Sequence, residues 1–150
     1  MSLRGYVRRA STLGALLIAL GGAAACVNPP MGPTRFATYS QTDLRVGTGT
    51  AVVTGDVITV HYTGWFYDET RPEQKGAVFE TSLATESLQI GVGSAGVIFG
   101  WNQGLPGMQV GGLRRLVIPP SLGYGGFRTG PVPPWTTMIF EIELISIDTP

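Results

Sequence analysis

Apolar and polar residues alternate with a period of two over several short stretches of this 150-residue chain, the spacing of half-buried strands rather than of helices. In Val57–Tyr62, one face carries Ile58, Val60 and Tyr62, and the other carries Val57, Thr59 and His61. Phe79 sits in a second short run, Leu88 and Ile90 alternate in a third, and Leu116 and Ile118 line a fourth. The clearest run places Met138, Phe140, Ile142 and Leu144 on one side and Glu141, Glu143 and Ser146 on the other, as in an antiparallel strand buried on one face. Strand patterning starts near Leu44, with glycines and prolines marking the turns. A helix is offered only by Ile98–Leu105, closed by Gly104 and Pro106. The expected fold is α+β, a curved antiparallel β-sheet wrapped around one short α-helix.

The first residues follow other rules. Arg4, Arg8 and Arg9 precede the apolar run Thr12–Leu20, the small residues Gly21–Ala25, and then Cys26. That is the layout of a secretory signal, and the apolar run is too short to span a bilayer, which needs about 20 residues. Ala23-Ala24-Ala25-Cys26 resembles a bacterial lipoprotein box, in which the cysteine is lipidated and becomes the first mature residue. Ala23 stands where that box usually has leucine, and ordinary cleavage after Ala25 is the other reading. Val27–Gln41, with Asn28-Pro29-Pro30 and Gly32-Pro33, has neither period and reads as a tether. The expected organisation is a signal peptide over 1–25, a tether over 26–41 with Cys26 as the lipid attachment site, and one domain over 42–150. The leader points to an exported bacterial protein on the periplasmic side of the envelope. Val27, where aspartate signals inner-membrane retention in some bacteria, leans toward the outer membrane.

Composition narrows the chemistry. Ten basic and ten acidic residues balance, and without the three leader arginines seven basic face ten acidic, a net charge of −3. Nucleic-acid binding is thereby disfavoured. One cysteine and one histidine exclude an intrachain disulfide, a cysteine-built zinc site and a multi-histidine metal site. A nucleophilic serine lacks a base, because His61 faces away from the Ile58–Tyr62 side of its strand. Gly91-x-Gly93-x-x-Gly96 lies outside any βαβ unit and reads as turn glycines. Glu141 and Glu143 read as solvated charges on an outward face. What remains is a set of aromatic and branched residues near turns: Tyr62, Phe79, Val97, Ile98, Trp101, Tyr124 and Phe140. They are either the core of a small sheet or an apolar cup for a small hydrophobic ligand.

The order of these residues favours the cup. Gly55-Asp56-Val57-Ile58-Thr59-Val60-His61-Tyr62-Thr63-Gly64-Trp65 resembles the opening signature of FKBP-type peptidyl-prolyl isomerases. Val78–Ser82, Val97–Leu105, Gly111–Pro120 with Leu122–Gly125, and Pro133-Pro134 with Phe140–Leu144 follow in that family's order. The resemblance covers roughly Leu44–Ile147. It implies a site with Tyr62, Phe79, Glu80, Trp101, Tyr124 and Phe140 in the catalytic roles, and Leu88, Val97, Ile98 and Val132 contacting substrate. Trp101 would floor the pocket under the proline ring, while the Ile98 N–H and the Tyr124 hydroxyl would meet substrate carbonyls. It implies no cofactor and no metal. It also implies a monomer whose partners are proline-containing polypeptides, with macrolides such as tacrolimus or rapamycin as further ligands.

The expected chemistry needs no nucleophile. Rotation about an X–Pro bond breaks nothing; a pocket that binds the twisted amide better than either planar isomer suffices. Three departures from the family pattern stand out. Glu80 replaces the usual aspartate, and its extra methylene is expected to shift its carboxylate out of register with a tyrosine hydroxyl. Leu88 replaces an aromatic wall, and the loop Gly125–Pro134 lacks the usual isoleucines, leaving Val132 as their nearest equivalent. Asp68–Gly76 reads as a charged surface insertion. Two other readings follow: a weakly catalytic peptide- or partner-binding module, and a structural envelope lipoprotein.

Overall fold

The computed structural model describes residues 36–148. The chain divides into units 1–33 and 34–150, and the described residues belong to the second. The signal segment, Cys26 and most of the tether lie outside the described residues.

The strands are β1 (Ser40–Arg45), β2 (Val57–Tyr67), β3 (Lys75–Thr81), β4 (Leu88–Gly91), β5 (Leu113–Ile118) and β6 (Met138–Asp148), with one short helix, α1 (Phe99–Gly104). They form one antiparallel sheet in the order β1-β5-β6-β2-β3, and β4 also pairs with β2. Eleven-residue β2 can serve two partners because β4 takes its first half, Val57–Val60, and β3 its second, Thr63–Tyr67. The expected α+β architecture, an antiparallel sheet with one short helix, is the one observed. Two boundaries move. Ser40 and Gln41, assigned to the tether, already pair with Val117 and Leu116 of β5, so the first strand starts four residues before Leu44. The helix keeps six residues, with Ile98 and Leu105 as its caps.

The period-two pattern identifies most of the core, although Val117 and Ile139 are buried on the opposite face of β5 and β6. Met138, Ile142 and Leu144 are fully buried and Phe140 nearly so, as are Ile58, Val60, Leu116 and Ile118. The helix reaches this layer through glycine: a Cβ on Gly100 would stand 2.7 Å from the Ile118 side chain. Packing this close leaves no room for a methyl group. Arg114 is the exception on β5. It is buried, but both edges of its guanidinium fork are satisfied, by Asp43 of β1 at 2.6 and 3.1 Å and by the carbonyls of Gly104 and Pro106. A buried charge is tolerable only with such partners, and here it ties the edge strand to the end of the helix.

The outward face of β6 differs from its expected solvated state. Arg115 sits opposite Glu141 across the β5–β6 pair, and the two are bonded at 2.7 Å. Lys75 adds a 2.6 Å contact to the same carboxylate and lies 4.5 Å over the Trp65 ring. Glu73, from the segment read as a surface insertion, closes the network through Lys75 and Arg115 at 2.9 and 3.0 Å. Glu143 pairs with Arg45 of β1. The alternation placed these glutamates outward; it carried no information about which cations the neighbouring strands would bring beside them.

Candidate functional site

Between α1, β2, β4, β6 and the segments on either side of the helix lies a cavity of about 150 Å³. Trp101 is at its buried end, presented by the helix, which begins where Ile98 leaves extended backbone. The indole meets Tyr62 edge-on at 5.3 Å and Phe140 edge-on at 5.3 Å. Such perpendicular pairs bring a positive ring edge to a negative ring face. Tyr62 and Phe140 come from neighbouring strands, so their positions follow from the β2–β6 register.

The other walls are Glu80, Leu88, Ile90, Gly96, Val97, Ile98 and Tyr124. Eight of the ten residues expected at the site therefore line one cavity. Phe79 and Val132 do not. Phe79 packs behind Phe140, edge-on at 5.6 Å, and beside Phe66 at 5.0 Å, so it braces the wall from outside the cavity. That layer requires Gly64, because a Cβ there would stand 2.6 Å from Phe79 and 3.0 Å from Phe140. Val132 is almost fully buried in the core. It anchors its loop through an exchange of backbone hydrogen bonds with Thr129, at 3.1 and 2.9 Å. Ile90 and Gly96 were missed as lining residues. The signal for Ile90 was present, since it alternates with Leu88 and must share its face; glycine at 96 left no side chain to notice.

His61 lies on the opposite side of β2, with Nδ1 3.1 Å from the Ser82 hydroxyl. The glycine pattern is a turn: Gly93 has φ +89°, and the Ser94 N–H bonds the Gly91 carbonyl. Among the described residues, no group of three or more potential metal ligands assembles.

The polar points of the cavity are few. Burial first, then the hydrogen-bonding reach and negative charge of Glu80, push the Tyr62 hydroxyl far above its ordinary pKa. Burial and the same carboxylate raise Tyr124 too. Both hydroxyls are therefore neutral donors at any physiological pH. Among the described residues the Ile98 N–H makes no hydrogen bond within the chain, and Trp101 Nε1 is a buried donor without an acceptor. The arrangement is an apolar box with hydrogen-bond donors in its walls. Its one carboxylate, Glu80, acts on two neutral tyrosine hydroxyls and among the described residues no nucleophile lines the cavity, so the site suits recognition of a carbonyl-bearing apolar group rather than bond cleavage.

The chain is similar to several known proteins. A family model described as FKBP-type peptidyl-prolyl cis-trans isomerase matches residues 48–145. The chain is 44% identical over 107 residues to an FK506-binding protein of Neisseria meningitidis serogroup B, covering 70% of this chain and 92% of that protein. FkpA from Escherichia coli superposes with a TM-score of 0.63 at 33% identity, over 74% of this chain. The chain spans about half of that structure, 48% of its length. A peptidyl-prolyl cis-trans isomerase from Pseudomonas syringae pv. tomato gives 0.61 at 32% identity, over 76% of this chain and 79% of the other.

Proposed function

We propose that this chain, which belongs to the FKBP-type peptidyl-prolyl cis-trans isomerase family, turns X–Pro bonds inside the Trp101 cavity by non-covalent catalysis. The observation that carries this is the cavity's composition: aromatic walls around Trp101, neutral hydroxyls at Tyr62 and Tyr124, and an unpaired N–H at Ile98. The proline ring would rest on Trp101 between Tyr62 and Phe140. The carbonyl before proline would leave water as it enters, which favours the twisted amide over the more polar planar one. Donors from Ile98 and Tyr124 would hold the flanking carbonyls while the bond rotates. The uncatalysed barrier is roughly 18–20 kcal/mol, and about 1.4 kcal/mol of differential binding gives tenfold in rate. No proton moves.

The test is acceleration of cis–trans exchange in short X–Pro peptides by the purified protein, with Trp101→Ala beside it. Acceleration lost in the variant supports the reading; no acceleration by well-folded protein refutes it.

The partners proposed with this activity are proline-containing segments of exported proteins. Macrolide binding is proposed because the relatives carry FK506-binding names. The chain is proposed to act on the periplasmic side of a bacterial envelope, anchored through Cys26, on the strength of the basic start, the short apolar run and Ala23–Cys26, with Val27 leaning toward the outer membrane. Labelling cells with a radioactive fatty acid checks the anchor: label should enter the protein and be absent from Cys26→Ser. Label in that variant, or none in the parent, overturns the anchor and leaves the isomerase reading untouched.

A further inference from the structure

We propose that Asn102 is a positioning residue for substrate binding, holding the segment Gly93–Val97 so that the Ile98 N–H stands where a substrate carbonyl meets it. The proposal rests on the isomerase reading above. Asn102 lies in α1 beside Trp101, half-buried. Its Oδ1 accepts from the Gly93 N–H at 2.7 Å, and its Nδ2 donates to the carbonyls of Ser94 at 3.0 Å and Val97 at 3.2 Å. One carboxamide thus answers one main-chain donor and two main-chain acceptors of a single loop, the pattern that an amide provides and a carboxylate does not.

That loop is otherwise weakly held. Its own bonds, Ser94 N–H to Gly91 and Val97 N–H to Ser94, are long at 3.2 and 3.3 Å. It then delivers Gly96, Val97 and Ile98 to the cavity wall. The same helix therefore presents Trp101 to the cavity and fixes, through Asn102, the loop that leads to the Ile98 donor. A displacement of that donor would weaken binding of planar and twisted amides alike, which raises KM and leaves kcat nearly unchanged.

The experiment uses the full chain with Asn102→Ala and its near-isostere Asn102→Asp, which keeps the shape and the Gly93 acceptor but turns oxygen toward two carbonyls. On X–Pro peptides, KM should rise about tenfold in both, the scale of one lost hydrogen bond, with kcat within twofold. The Gly93 amide should exchange with solvent faster in Asn102→Ala. KM within twofold of the parent in either folded variant overturns the proposal, because a merely structural brace would lower the melting temperature and leave KM alone. A parent chain without turnover overturns the isomerase reading instead. Peptide affinity, followed by tryptophan fluorescence, then decides the role of Asn102 separately: a tenfold weaker Kd supports it and an unchanged one refutes it.

Discussion

Phe140 and Glu141 are neighbours on β6, yet they belong to two differently built clusters. Phe140 points inward to Trp101, Tyr62 and Phe79, in perpendicular or tilted ring contacts between 5.3 and 6.2 Å. Glu141 points outward to Lys75 and Arg115, with Glu73 completing the set. The inner cluster lines its cavity with aromatic rings and a single exposed carboxylate, Glu80; the outer one is ionic. The difference separates two tasks. Aromatic walls around Trp101 can dehydrate an amide, whereas the loop carrying Glu73 is fastened to the sheet by charge on the far side. The outer cluster is accordingly expected to influence stability but not turnover, and the inner one both.

Trp101→Ala should have the largest effect. It removes the cavity's buried end and both perpendicular ring contacts, so stability should fall by about 3–5 kcal/mol and kcat/KM at least about 50-fold. Denaturant unfolding and peptide isomerisation measure the two. A variant that kept its turnover would abolish the functional contrast between the faces. Gly64→Ala comes next. The added methyl collides with Phe79 and Phe140, and overpacking of this kind costs about 1–3 kcal/mol. Its melting temperature should drop with the inner cluster disturbed, and near-ultraviolet circular dichroism should report the moved rings.

Tyr124→Phe should lower kcat/KM about tenfold with little change in melting temperature, since it deletes one donor at the cavity wall. On the outer face, Glu141→Gln should lower stability by about 1–2 kcal/mol, because Lys75 and Arg115 would lose a partly buried partner. Its kcat/KM should stay within twofold. A tenfold loss would mean that the two faces are coupled through β6.

The smallest effect concerns pH. Hydrogen bonds from Lys75 and Arg115 hold Glu73 below the ordinary carboxylate range, and those from Thr59, Gln89 and Ser146 do the same for Asp148. A depressed folded-state pKa contributes stability that is complete above the unfolded value and lost as pH falls through the folded one. Melting temperature should therefore fall slightly on acidification below about pH 4, where unfolded carboxylates begin to take up protons. Tyr62 and Tyr124 are shifted the other way. Their raised values place a loss of stability above about pH 10, where unfolded tyrosine ionises first. Activity between pH 6 and 9 should be flat at both ends of this comparison.

Most of the fold was legible in the chain, because burial on one side of a strand writes itself as alternation. Ile58 and Val60, Leu116 and Ile118, and Met138 through Leu144 were all readable this way, and a six-residue helix between glycines could be located by its stops. The resemblance to a family supplied the candidate site, and eight of its ten residues line one cavity. Phe79 and Val132 could not be sorted by the same means. A residue in a wall and a residue behind it have the same hydrophobicity; the distinction depends on which side chain reaches the cavity first.

The sequence by itself determined which faces of the strands are buried, where the short helix lies, and that acid–base and metal chemistry are poorly supplied, since these depend on local order and on which residue types are present. Tertiary structure alone decided the pairings that join distant segments. Arg115 finds Glu141 because β5 lies beside β6, and Lys75 reaches the same carboxylate from β3 with β2 between them. Asn102 finds Gly93 because the helix folds back over the loop preceding it. Contacts of that kind depend on register and closure, and no periodicity along the chain encodes the distance between two elements that meet only after folding.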